Sequence, residues 1–85
     1  MKEFTYIIKD EIGIHARPAG LLAKAAKECV AKITLTANGK TVEATKLMAV
    51  MGLGVKQGTE VVICAEGADE DAAITKMEAF MNANL

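Results

Sequence analysis

Glu60-Val61-Val62-Ile63-Cys64-Ala65 is the run on which the fold turns. Its density of β-branched and apolar side chains reads as a strand, and its length suggests a central one. Downstream, Asp69 is placed to cap a last helix, with Glu70 and Asp71 in the first turn, where acids suit the positive helix end. Ile74, Met77 and Met81 recur at helical spacing as a core stripe, flanked by Phe80. Upstream, Gln57-Gly58 is a turn, and Lys46 to Met51 is a short helical turn closed by Gly52 and Gly54. Ala31 to Thr36 alternates, with Ile33 and Leu35 on one side and Lys32, Thr34 and Thr36 on the other. Asn38-Gly39 then marks a hairpin, because both residues tolerate φ > 0, and Lys40 to Ala44 returns as the partner strand.

Nearer the start, Phe4-Thr5-Tyr6-Ile7-Ile8 is a strand and Asp10 to Gly13 a turn-rich loop. From Ala16 to Cys29 the period is helical. Pro18, Ala19, Leu22, Ala25, Ala26 and Cys29 share one face, and Pro18 suits a first turn, where its missing N–H costs nothing. The element order is β-α-β-β-α-β-α. An α+β fold buries these patterns economically: an open antiparallel sheet with helices on one face. At 85 residues a single domain is expected, with no room for a deep, walled active site.

Composition narrows the chemistry. One His and two Cys cannot build a zinc cluster, and a chain without serine has no serine nucleophile. Cys29 and Cys64 sit in apolar patterns and read as reduced core residues. No apolar run approaches a membrane span, and Met1-Lys2-Glu3-Phe4 has no secretory character, so membrane insertion is not expected and a cytoplasmic location is. The net charge of −1 argues against general nucleic-acid binding. It hides an uneven spread. Residues 1–56 carry nine Lys/Arg against five acids, and residues 57–85 one lysine against six. Chance plus the usual acidic start of a last helix would account for this, and so would a basic patch.

The only histidine, arginine and proline fall within four residues, in Gly13-Ile14-His15-Ala16-Arg17-Pro18. The first turn of a helix presents unpaired N–H groups and about half a positive charge. The N–H groups of Ala16 and Arg17 are free to point forward, and Pro18 starts the helix. The Arg17 guanidinium matches phosphate oxygens. A neutral imidazole at His15 can attack phosphorus, and the helix end and Arg17 can hold the transferred oxygens. Local physics also allows a plainer reading, with His15 as a cap substitute and Arg17 as a surface charge. Nothing in the chain supplies a second catalytic group, a Mg²⁺ site or a nucleotide pocket, and no cofactor or metal is expected.

Arg17, Gly20, Lys24 and Lys27 fall opposite the core stripe, with Leu21 at the border. Gly20 costs about 1 kcal/mol against Ala in a helix, and close approach of another backbone is one reason to keep it. Leu47, Met48, Met51 and Leu53 crowd a helix too short to turn them all inward, so two or three are expected to be exposed beside Lys46. A solvated lysine face and a closed core are the plainer alternatives.

GIHARPAG at 13–20 resembles the active-site signature of the HPr family, the histidine-containing phosphocarriers of the bacterial sugar phosphotransferase system. NGKT at 38–41, Leu47 to Gly54, GTEVVI at 58–63 and AEGADE at 65–70 are similar to that family in the same order and spacing, so the resemblance spans essentially the whole chain. It implies an open-faced β-sandwich, a four-stranded antiparallel sheet covered on one side by three helices. It implies that His15 takes a phosphoryl group on Nδ1 from Enzyme I and passes it to the A domain of a sugar-specific Enzyme II. Arg17 would steady the group, and Gly20, Lys24, Lys27, Leu47, Met48 and Met51 would dock both partners. No stand-alone turnover and a monomer are expected. A regulatory binding protein on the same fold, or a carrier in a parallel nitrogen-linked chain, are the alternatives. A small enzyme with His15 as general base fits less well. The chain departs from the family at Lys46, where many members from Gram-positive bacteria carry a regulatory serine; Thr45 is the nearest hydroxyl.

Overall fold

A computed structural model describes residues 1–14 and 16–85. Its elements are β1 (Lys2–Ile7), α1 (Ala16–Lys27), β2 (Lys32–Ala37), β3 (Lys40–Glu43), α2 (Leu47–Met51), β4 (Glu60–Glu66) and α3 (Glu70–Asn84). All neighbouring strands are antiparallel, in the order β1-β4-β2-β3. Strand β4 is therefore one of the two inner strands, as its apolar density implies, with Tyr6↔Val61 on one side and Leu35↔Ile63 on the other.

Alternation divides the sheet into two faces. Val61, Ile63 and Ala65 of β4 and Ile33, Leu35 and Ala37 of β2 are buried, and they join Leu22, Val50, Met77 and Met81 from the helices in one core. The four strands and three helices match the expected architecture. Asn38 (φ 51°) and Gly39 (φ 78°) make the β2–β3 turn, where the side chain of Asn38 donates from Nδ2 to the Leu53 carbonyl at 2.8 Å.

Three expectations need correction. Cys64 is half-buried and lies with Val62 on the face of β4 opposite the core, because alternation carries residues 62 and 64 away from the helices. It is not a core residue, although both cysteines are free thiols. Asp69 stands at the N-cap of α3 but makes no side-chain cap bond. Its carboxylate instead accepts from Val30 N at 3.0 Å and Ala31 N at 2.6 Å, tying the start of α3 to the approach to β2. Leu53 is 5% exposed and belongs to the core, since the chain folds back after α2 through Leu53 N donating to the Val50 carbonyl at 3.2 Å. It is unavailable to a partner. On α3, Ala73 shares the stripe with Met77 and Met81, while Ile74 and Phe80 pack at its edge.

Candidate functional site

The chain approaches α1 through a heavily bonded loop. Ile8 N donates to the Thr59 carbonyl at 3.0 Å, and Gly58 N donates to the Ile8 carbonyl at 2.8 Å. Asp10 Oδ1 accepts from Ile12 N at 2.9 Å and Gly13 N at 3.3 Å, an Asx turn that reverses the chain. Gly13 has φ +82°, and a Cβ there would lie 2.4 Å from the Val55 carbonyl oxygen. Ile14, buried, donates its N–H to that same carbonyl at 3.1 Å. His15, the expected nucleophile, comes next and lies outside the described residues.

Helix α1 begins at Ala16, and no acidic side chain stands in its first turn. Pro18 is buried, while Arg17 is exposed. Arg17, Pro18 and Leu21 share a shallow depression of about 250 Å³ with Asp10 and Asn84. The last two escaped the sequence reading. Asp10 carries a local signal, an Asp three residues ahead of a Gly, but Asn84 comes from the far end of the chain. Among the described residues the ion pairs are Met1 amine–Glu70, Lys2–Asp71 and Lys76–Glu28, each with one partner on α3. Arg17, Lys24, Lys27 and Lys46 take part in none of them.

The face of α1 opposite the core presents Arg17, Leu21, Lys24 and Lys27 to solvent, with Gly20 half-exposed. A Cβ added at Gly20 would meet nothing within 4 Å, so no contact inside the chain requires the glycine. Next to α1, α2 exposes Leu47 at 39% and Met48 at 76%; Met51 is half-buried against the core. Lys46 is the N-cap of α2, exposed and without a side-chain cap bond. Its charge stands at the positive end of that helix, so the patch is cationic at the cost of the helix's own electrostatics.

Cys29 lies just past the last turn of α1. Burial pushes its thiol up, and Sγ lies 3.6 Å from the Ala25 carbonyl as a donor. A protonated, bonded thiol is a poor nucleophile.

Comparison with known proteins agrees with this geometry. Residues 2–83 match the family model described as PTS HPr component phosphorylation site. The chain is 43% identical over 81 residues to phosphocarrier protein HPr of Mycoplasma capricolum, covering 95% of this chain and 91% of that one. A solved histidine-containing phosphocarrier protein of Mycoplasma superposes with a TM-score of 0.93 at 41% identity, covering 96% of this chain and 93% of that one. HPr of Thermoanaerobacter tengcongensis superposes with a TM-score of 0.92 at 40% identity, covering 98% and 93%. The chain belongs to the HPr family, the phosphoryl carriers of the phosphotransferase system.

Proposed function

We propose that His15 is the residue that carries the phosphoryl group. A neutral imidazole attacks phosphorus through Nδ1: a P–N bond forms as the bond to the donor breaks, and the other ring nitrogen keeps its proton. The observation that carries this reading is the start of α1. It begins one residue after His15, has no acid in its first turn and places there an exposed arginine that forms no ion pair among the described residues. The free N–H groups of Ala16 and Arg17 and the Arg17 guanidinium hold the phosphoryl oxygens. Such a helix-end interaction is worth about 0.3–2 kcal/mol, suited to a group that is accepted and given up again.

The donor is Enzyme I and the acceptor the A domain of an Enzyme II. Both dock on one surface, where Lys24, Lys27 and Lys46 surround the apolar Leu21, Leu47, Met48 and Met51. Gly20 lies in its middle, open to a close backbone approach. One surface serves both partners because a carrier meets them in turn. The chain acts as a single cytoplasmic domain, a carrier with no turnover of its own. Among the described residues no helix is long and apolar enough to cross a membrane.

Incubation with phosphoenolpyruvate and Enzyme I tests the reading. Acid-labile phosphate is expected on His15 and absent from His15→Ala. Equal labelling of His15→Ala would overturn it.

A further inference from the structure

Asp10 and Arg17 line one depression of about 250 Å³ beside the start of α1, and Asp10 is the one acid among the described residues that line it. The aspartate is held still. Its N–H donates to the Leu85 carbonyl at 2.9 Å, and its Oδ1 accepts from Ile12 N at 2.9 Å and Gly13 N at 3.3 Å. An asparagine would serve this turn as well, because its side-chain oxygen accepts the same two bonds. The carboxylate thus brings a charge that the turn does not require. The charge is half-buried, which limits its screening by solvent. Nor is it neutralised in place: among the described residues neither Asp10 nor Arg17 forms an ion pair.

We propose that the Asp10 carboxylate sets the transfer potential of the phosphoryl group, by opposing the anion that Arg17 and the start of α1 hold. The proposal rests on His15 being the phosphorylated residue. A phosphoryl group held by the Arg17 guanidinium is brought to a depression that already contains a negative charge, and like charges at this range repel. On transfer from Enzyme I, a P–N bond forms at His15 as the bond to the donor breaks, and that step runs against the repulsion. On transfer to an Enzyme II the P–N bond breaks and the repulsion is released. Arg17 and the helix start pull the group in, and Asp10 keeps it from being held too tightly to pass on. The effect belongs to the equilibrium between carrier and partner, and not to the shape of the loop.

Three variants separate charge from structure. Asp10→Asn removes the charge and keeps the acceptor of the turn. Asp10→Ala removes both. Glu11→Gln removes a charge from an exposed neighbour that does not line the depression. Each chain, shown to be folded by circular dichroism, is mixed with an equal amount of labelled phospho-Enzyme I, and the division of label is read at equilibrium. Asp10→Asn and Asp10→Ala are both expected to shift the equilibrium toward the phosphorylated carrier, by roughly threefold to tenfold. The equilibrium for onward transfer to an Enzyme II A domain should fall by the same factor. Glu11→Gln is expected to stay within about twofold of the parent. An Asp10→Asn chain that divides the label as the parent does would overturn the proposal and leave Asp10 a turn residue only. A shift in Glu11→Gln as large as that in Asp10→Asn would overturn it too, since net charge would then govern. A parent chain that takes no phosphate on His15 overturns the functional reading first and this one with it.

Discussion

Gly13 and Gly67 each stand three residues ahead of a helix, α1 and α3 respectively, and each brings the chain against another stretch of backbone. A Cβ on Gly13 would lie 2.4 Å from the Val55 carbonyl oxygen and 2.6 Å from Lys56 Cα; one on Gly67 would lie 2.8 Å from Ala31 Cα. A nearby aspartate organises each entry: Asp10 accepts from Ile12 and Gly13, and Asp69 from Val30 and Ala31. The charges that follow are opposite. The first turn of α3 holds Glu70 and Asp71, while that of α1 holds no acid and carries Arg17. Helix α3 neutralises its positive end with its own side chains; the first turn of α1 holds no acid that would do the same. The same backbone device thus leads into both helices, and charge in the first turn separates the two.

The shared entry is the part most easily broken. Gly13→Ala puts a side chain on a left-handed residue with φ +82° and drives it into a carbonyl. It is expected to cost about 3 kcal/mol in urea unfolding, and Gly67→Ala somewhat less, because its nearest neighbour is farther. If Gly13→Ala unfolds at the parent's urea midpoint, the close approach does not constrain the loop.

Exchanging the charges tests the contrast directly. Arg17→Glu gives α1 the first-turn acid that α3 has. Phosphate acceptance from Enzyme I is expected to fall roughly 10- to 100-fold, from the lost guanidinium and the added repulsion together. Arg17 is exposed, so the melting temperature should hardly move. Glu70→Lys, the mirror change on α3, is expected to leave transfer within about twofold of the parent, since Glu70 does not line the depression that holds Arg17. Equal losses in the two variants would mean that net charge, and not its place, governs transfer.

How far the sequence reveals these regions depends on the range of each contact. The inner position of β4, the Asn38-Gly39 hairpin and the cationic face of α1 follow from periodicity and turn chemistry within a few residues, and all three are in the structure. The family resemblance adds the rest of the architecture. Asp69 looks like a cap because local spacing says so, but its acceptors' partners lie at Val30 and Ala31, on the approach to β2 and distant in sequence. Cys64 looks like core because every neighbour in its run is apolar, and only strand pairing decides which face it takes. Leu53 crowds a short helix in sequence, yet the turn after α2 folds it inward. Leu85 has no pattern around it at all, and its bonds to Lys9 and Asp10 exist only once α3 has packed beside β1.

Helix α2 is a third case between the two. Its N-cap, Lys46, is cationic and makes no side-chain cap bond. Lys46→Ser supplies the missing acceptor and removes the unfavourable charge, so unfolding free energy should rise by about 1 kcal/mol. Binding to an acidic partner should weaken in the same variant, more so at low salt. Stabilisation without weaker binding would place Lys46 outside the docking surface.

The smallest effect tests whether α3 is neutralised internally as claimed. Glu70 Oε2 lies 2.7 Å from the Met1 amine, and Oε1 accepts from Gly67 N at 3.3 Å. The bond to the amine, then the one from Gly67, holds the Glu70 carboxyl below its usual 4.5; the same pair raises the amine above its usual 8.0. The carboxylate's contribution is therefore present above pH 4.5 and fades as pH falls through its lowered value. The amine's contribution is complete below pH 8.0 and fades as pH rises through its raised value. Stability relative to Glu70→Gln should form a plateau between these limits and shrink on both sides. Both groups face solvent, so the plateau should amount to no more than about 3 °C in Tm and should shrink further with added salt. Arg17→Gln on α1 should show no such plateau, because Arg17 has no partner within the described residues. A Tm difference for Glu70→Gln that stays constant from pH 3 to 10 would show that the pair does not form in solution.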